Sequence, residues 1–375
     1  MHARSISVTK QELFQLKIPP VDQILYQEAK KDWDLHSKPI DGFGDFEDVI
    51  CRLAAIQGTN PPDITKRGVV IMIADNGVVE EQVSQVGTEV TLGVARNLGD
   101  HISTASILAQ GCNTDVFPID IGMAAEEKIP GVSCRKISQG TKNFTREAAM
   151  TEEEVLKAIS VGIETAFTLK KKGYKILATG EMGIGNTTTS TALFCALTGA
   201  DPEELTGRGA GLSDAGLLRK KTVIKKGLSA FQASAASLSP DTKAYALKAL
   251  SYLGGLDIAG LIGVFVGGGL YRIPIVIDGL ISAVAALCAT RLCPGCKDYM
   301  LASHNGREGG LPAALKELKL PCYLSGNMAL GEGTGAILLF PLLEAILYYY
   351  KYGAKFETTM IKAYERFTTT ENEED

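Results

Sequence analysis

Glu332 stands between two glycines in LGEGTGAILLF (330–340), at the mouth of a run that is otherwise apolar. The stretch that follows, TGAILLFPLLEAILYYY, is apolar around nearly the whole helical circumference, so the helix it predicts is buried. A carboxylate in that place has two readings. As a helix cap it would stabilise by about 0.5–2 kcal/mol. Buried without a cation it would have a raised pKa, because desolvation disfavours the charged form, and it would then serve as a base near neutral pH.

A second acid sits in GEMGIGNTTTSTALFCALTG (180–199), where an apolar strand turns into a helix through Gly183-Ile184-Gly185. Glycines there let backbone N–H groups approach a ligand, and the helix start adds partial positive charge, a combination suited to phosphate. Asn186 or Thr187 is the expected cap. The stretch is not a Walker motif, since no Lys-Ser/Thr follows, and it is not a complete GxGxxG. A plain strand-to-helix turn is the alternative, but Glu181 suits ribose hydroxyls or a cationic ring better than bare structure.

Two further groups have chemistry to offer. GRGAGLSDAGLLRKKTVIKKGL (207–228) is a glycine-rich loop and then a helix with Ser213 as N-cap, on which Lys220 or Lys221 either reaches back to a phosphate or stays solvated. His304 follows Ser303 at a strand end. A His-Ser hydrolase would need a GxSxG elbow and an orienting acid, and neither is evident, so ligand binding or a structural hydrogen bond is the preferred role.

These residues need elements to hold them. Short β-branched runs at 69–75, 115–122, 175–183, 274–279 and 299–304 alternate with amphipathic segments at 152–172, 213–228 and 280–291. That alternation predicts an α/β fold, a doubly wound, mostly parallel sheet covered on both faces. Nearly every run ends in an acid, amide or histidine beside glycine: Asp75-Asn76-Gly77, Asp120-Ile121-Gly122, Glu181-Met182-Gly183, Asp278-Gly279 and Ser303-His304. Ligands bind outside the carboxyl ends of such strands, so these termini are expected to ring one site. The chain ends, 1–35 and 341–375, predict a small helical domain; 36–340 form the large Rossmann-like domain. The tail TTTENEED is expected to be disordered.

Composition narrows the classes. With 45% hydrophobic and 22% charged residues and a net charge of −5, the chain reads as an ordinary soluble globular protein with no polyanionic partner such as nucleic acid. The N-terminal segment lacks the apolar core of a secretory signal, and the most apolar stretch, 258–270, is too short to span a bilayer, so no membrane role and a cytoplasmic location are expected. The eight scattered cysteines are expected to be reduced, and Cys293-Pro-Gly-Cys296 reads as a turn because no second pair or histidine set completes a metal site. The abundant glycines, 40 in all, are expected at the ends of apolar runs where a ligand meets backbone.

GEMGIGNTTTS, GRGAGLSDAG, IVIDGLIS, YMLASH and LGEGTGA, in this order, resemble the nicotinate-nucleotide:dimethylbenzimidazole phosphoribosyltransferases, which build the lower ligand of cobamides. SKPIDGFGDFE, IADNGVVEEQVS and GTKNFTREAAMT resemble further blocks of that family, so the likeness runs from about residue 20 to residue 350. The resemblance implies transfer of ribose 5-phosphate from nicotinate mononucleotide to an aromatic base, with release of nicotinate and no cofactor or metal. It also implies a doubly wound domain, a small helical domain and a dimer. Carried over position by position, Glu332 is the general base and Glu181 stands by the reacting ribose carbon. Gly183 and Gly185 present backbone N–H groups, while Lys220 and Ser303 contact phosphate. Met182, Asp278 and Leu330 join the substrate-binding set.

The sequence departs from the family at Asn76, where His is usual, and between Gly87 and Val94, where a Pro and a Gln are usual. These segments line the acceptor pocket in the family. Val86 and Val94 therefore imply a more apolar pocket, which favours phenol or p-cresol, the bases of a heteromeric branch, over dimethylbenzimidazole, with adenine a weaker option. A non-catalytic subunit of such a heteromer is the rival reading, and Glu332, Glu181 and Lys220 argue for the catalytic member. A dehydrogenase of ordinary dinucleotide-binding type would need GxGxxG after the first strand, where ADNGVVEEQ stands instead.

Overall fold

A computed structural model describes residues 7–366; the acidic tail beginning at Thr368 lies outside them. Its central sheet has six strands, β1 (Arg67–Ala74), β2 (Asp115–Gly122), β3 (Ser133–Cys134), β4 (Ile176–Met182), β5 (Ile275–Ile277) and β6 (Met300–Ala302), in the order β3-β2-β1-β4-β5-β6. All five pairings are parallel. Every residue of β1 is buried, as a central strand covered on both faces requires, which is why its sequence RGVVIMIA does not alternate. The strand order reverses between β1 and β4, and the crevice at the carboxyl ends there is where such sheets bind ligands.

YMLASH divides in two. After β6 the chain breaks at Ser303, and β7 (His304–Gly306) leaves the main sheet to pair in parallel with β8 (Leu324–Met328). This ribbon carries the chain toward the loop that holds Glu332.

The crossover Glu152–Lys171 starts from a capping box, Thr151 accepting from the Glu154 N–H and Glu154 from the Thr151 N–H, and its terminal Lys170 and Lys171 complement the helix dipole. It lies against the helix Leu256–Tyr271, apolar but for Asp257 in its first turn, at a separation only glycine permits. A Cβ on Gly162 would stand 2.1 Å from the Gly260 carbonyl, and one on Gly263 would stand 2.0 Å from that of Ile159. Many of the glycines therefore serve helix packing rather than ligand approach.

Two compact units emerge, one comprising Met1–Pro20 with Ile64–Phe340 and the other Val21–Asp63 with Pro341–Asp375. The N-terminal boundaries thus differ from the expected 1–35 and 36–340. Leu13 of the helix Lys10–Gln15 is buried in the large core, Lys243 Nζ donates to the Phe14 carbonyl at 2.7 Å, and the Tyr299 hydroxyl donates to the Pro19 carbonyl at 2.8 Å. In the second unit, Gln23–Asp34 is capped by Asp22 and packs on Asp45–Gln57, while Trp33 is enclosed by His36, Phe43, Tyr349 and Tyr350.

Candidate active site

At the reversal point β4 ends in Glu181-Met182-Gly183. A Cβ on Gly183 would lie 2.3 Å from the Ala74 carbonyl at the end of β1, so the chain turns there only because glycine is present. Gly185, left-handed at φ +93°, is the N-cap of the helix Asn186–Thr198 and makes no side-chain capping bond. The expected caps act elsewhere. Asn186 Nδ2 donates a short hydrogen bond to Glu181 Oε2 and another of 3.0 Å to Asp257 Oδ2, while Thr187 Oγ1 accepts from Lys220 Nζ at 2.9 Å.

The opposite wall is the loop Gly331-Glu332-Gly333, with φ values of +90°, +57° and +84°. Three consecutive left-handed residues fold the backbone onto β4, where a Cβ on Gly180 would meet Glu332 backbone at 2.7 Å. The flanking glycines thus serve the turn. One faces Glu181 directly, since a Cβ on Gly331 would stand 2.9 Å from Glu181 Oε1. Asp278, at the end of β5, fixes this loop: Oδ2 accepts from the Gly333 N–H at 3.1 Å, and Oδ1 accepts from the Gly335 and Ala336 N–H groups at 2.8 and 3.1 Å. Asp278, rather than Glu332, therefore satisfies the start of the helix Thr334–Tyr352.

Glu332 is half-buried, and its Oε2 accepts one weak bond, from the Ala105 N–H at 3.3 Å. Burial raises its pKa, the nearby Asp278 charge adds to the rise, and the Ala105 N–H opposes it. Glu181 is driven well above the usual carboxylate range by burial and then by the Asp257 charge, with Asn186 opposing.

Lys220, on the helix Asp214–Ser234 capped by Ser213, is only 1% exposed; Nζ donates to Thr187 and to the Gly207 carbonyl at 3.1 Å. Burial pushes its ammonium down to about 8, against the pull of Glu308. The neighbouring Lys221 instead pairs with Glu203 at 3.0 Å.

Between these walls lies a cavity of about 180 Å³. Of the expected site residues, Glu181, Met182, Gly183, Asp278, Leu330 and Glu332 line it. Gly185 and Lys220 stand behind the wall, held against it through the turn and through Thr187. Three more are also absent from the lining. Ser303 is fully buried and engages His304 Nδ1 at 2.9 Å and the Asp278 carbonyl, so it offers the cavity neither a phosphate contact nor a nucleophile. Val86 precedes the helix Glu89–Gly99 and Val94 lies on it, both half-buried and away from the lining.

Sequence reasoning missed Asp257, Asn186 as a side-chain donor, and Glu308. Asp257 carried the signal that drew attention to Glu332, an acid at the mouth of an apolar run. Cys293 and Cys296 are buried, with burial raising the former thiol to about 11 and the latter well above its ordinary range, and no group of potential metal ligands is found among the described residues. No described helix is long and apolar enough to cross a membrane.

A family model described as phosphoribosyltransferase matches residues 18–361. The chain belongs to that phosphoribosyltransferase family. Among its relatives, the nicotinate-nucleotide–dimethylbenzimidazole phosphoribosyltransferase of Clostridium acetobutylicum is 39% identical over 345 residues, covering 92% of this chain and 96% of that protein. The protein of the same name from Acetivibrio thermocellus is 41% identical over 332 residues, covering 88% and 92%. The crystal structure of CobT from Thermus thermophilus superposes with a TM-score of 0.83 at 35% identity, covering 89% of this chain and 98% of that one. The doubly wound sheet is accordingly that of a phosphoribosyltransferase, and Glu181 and Glu332 both line the cavity at its carboxyl edge.

Proposed function

We propose that this phosphoribosyltransferase moves the ribose 5-phosphate of nicotinate mononucleotide to an aromatic base, giving an α-ribotide of the kind used as a cobamide lower ligand and releasing nicotinate. The observation that carries this reading is the pair Glu332 and Glu181 on one small cavity, the first weakly bonded and the second clamped. The bond from the ribose C1 to the pyridinium nitrogen breaks, and its electron pair neutralises the ring, so nicotinate leaves without an acid. Positive charge develops on the sugar beside Glu181; the cationic pyridinium of the bound nucleotide favours the ionised Glu181 carboxylate against the effect of burial, and that carboxylate stabilises the developing charge electrostatically. The acceptor's ring nitrogen or oxygen bonds C1, and its proton passes to Glu332.

Phosphate is expected at the glycine-capped N-terminus of Asn186–Thr198, where the helix dipole favours an anion, with Lys220 behind Thr187 supplying charge. Met328 and Leu330 give the Glu332 side an apolar wall suited to a flat ring. Dimethylbenzimidazole, named for the relatives, is the acceptor this reading favours; the case for phenol or p-cresol rested on Val86 and Val94, which stand off the cavity. Assembly as a dimer, with itself or with a related chain, belongs to the same proposal and is tested by sedimentation. The decisive experiment is a product assay with nicotinate mononucleotide and dimethylbenzimidazole, benzimidazole, adenine, phenol and p-cresol. Ribotide from dimethylbenzimidazole is expected; no ribotide from any base would overturn the reading.

A further inference from the structure

Asp257 is a fully buried acid in the first turn of the apolar helix Leu256–Tyr271. Its Oδ2 accepts from Asn186 Nδ2 at 3.0 Å, and its Oδ1 has no hydrogen-bond partner. A buried oxygen left unpaired is costly; the first N–H groups of the helix, those of Asp257 and Ile258, oppose the effect of burial only in part. Gly255 makes room for the arrangement, because a Cβ there would stand 2.4 Å from Asp257 Oδ1 and 2.7 Å from Asn76 Oδ1.

Asn186 is the link. A primary amide nitrogen carries two hydrogens, and here one meets Glu181 Oε2 and the other Asp257 Oδ2. Turned over, the amide would set its carbonyl oxygen against two carboxyl groups in a site that excludes water. Glu181 alone would bias the amide toward donation; two acceptors on the same nitrogen leave it one orientation. Burial raises the carboxyl of Asp257 to about 6 and that of Glu181 as well, so a shared donor between them matters more than it would at the surface.

We propose that Asp257 is a positioning residue, which holds the Asn186 amide with its N–H groups toward Glu181 and so fixes the Glu181 carboxylate against the cavity. This rests on the reading that Glu181 acts on the reacting ribose. The simpler role, an acid favouring a helix N-terminus, predicts an effect on stability alone.

The test is steady-state kinetics of ribotide formation on the full chain. Asp257→Leu removes the acceptor at nearly constant volume; kcat is expected to fall by ~10–100-fold, as is typical when an outer partner that orients a functional ligand is lost. KM for nicotinate mononucleotide should be unchanged. Asp257→Asn, which keeps an oxygen for Asn186, should recover most of the rate. Asn186→Ala should match the Leu variant, and combining the two should cost no more than either alone. A wild-type kcat in D257L, an Asn variant as slow as the Leu variant, or losses that multiply in the double variant would each overturn the proposal. If D257L does not fold, Asp257→Ala alone and combined with N186A decides the matter: a loss alone that disappears in the N186A background supports the coupling, and a further loss there refutes it. If the wild-type chain makes no ribotide, the functional reading fails. The amide clamp is then judged by the 15N–1H signals of the Asn186 side chain, identified by their loss in N186A. Slowly exchanging protons are expected, and free exchange would exclude the clamp.

Discussion

Glu181 and Glu332, two of the four acids that line the cavity, are held in opposite ways. Glu181 belongs to a central strand, is 8% exposed, and has its carboxylate gripped by an amide that is itself gripped by Asp257. Glu332 belongs to a left-handed loop, is half-buried, and keeps one long bond to a backbone N–H. A group that stabilises developing charge gains from being immobile, because its orientation costs nothing at the moment of reaction. A group that takes a proton needs a free oxygen and access to the acceptor. The protein fixes the backbone of Glu332 through Asp278 while leaving its side chain loose.

Removing each acid is the most severe way to break that contrast. Glu332→Gln should lower kcat by about 10²–10⁴-fold, the range for a general base, with nicotinate mononucleotide binding preserved by calorimetry. An unchanged rate would end the assignment. Glu181→Gln keeps the shape and the Asn186 contact but loses the charge, and should cost about 10²–10³-fold in kcat. If the two variants differ only in KM, the division of labour between the walls is wrong.

Lys220 tests the phosphate end, and pH gives the sign. Its charged form is needed for phosphate, so kcat/KM for the nucleotide should fall above about 8, while the raised Glu332 carboxyl sets an acid limb above the ordinary 4.5. Lys220→Met should raise KM by about tenfold to a hundredfold, the loss of one charged hydrogen bond, and should abolish the alkaline limb while leaving the acid one. Stability follows the opposite course. Because folding depresses this ammonium from 10.5 to about 8, the unfolded chain binds more protons in that window, and the nucleotide-free enzyme should gain stability as pH rises through it. Thermal melts across that range should lose the gain in the Met variant.

How far the sequence could be read divides along the same walls. Five of the six strands of the main sheet were legible because a covered parallel strand is a continuous apolar run, whereas the exposed two-residue edge strand β3 offers no such run; Glu181 and Glu332 were legible because each interrupts such a run beside glycine. The β7–β8 ribbon was not, since LSGNM is polar and largely exposed and has no pattern to find. Nor was the task of Asp278, whose three backbone donors lie more than 50 residues further along the chain. Asp257 could have been found, but its partner Asn186 has the sequence position of a cap and acts as a clamp.

Val86 and Val94 set family position against geometry. They were expected to shape the acceptor pocket, yet the wall beside Glu332 is made by Met328, Ala329 and Leu330. Leu330→Ala, which removes apolar surface from that wall, should shift the ratio of kcat/KM for dimethylbenzimidazole over phenol by roughly tenfold, the scale of a few methylenes in a hydrophobic pocket. Val94→Gln, on a helix outside the lining, should leave it within about twofold, as for a substitution that meets no packed or functional group. The ratio of the two effects is what matters, since it locates the acceptor without depending on which base is preferred. If Val94→Gln moves selectivity more than Leu330→Ala, the acceptor approaches from the Glu89–Gly99 side, and Glu332 would have to swing away from Ala105 to meet it.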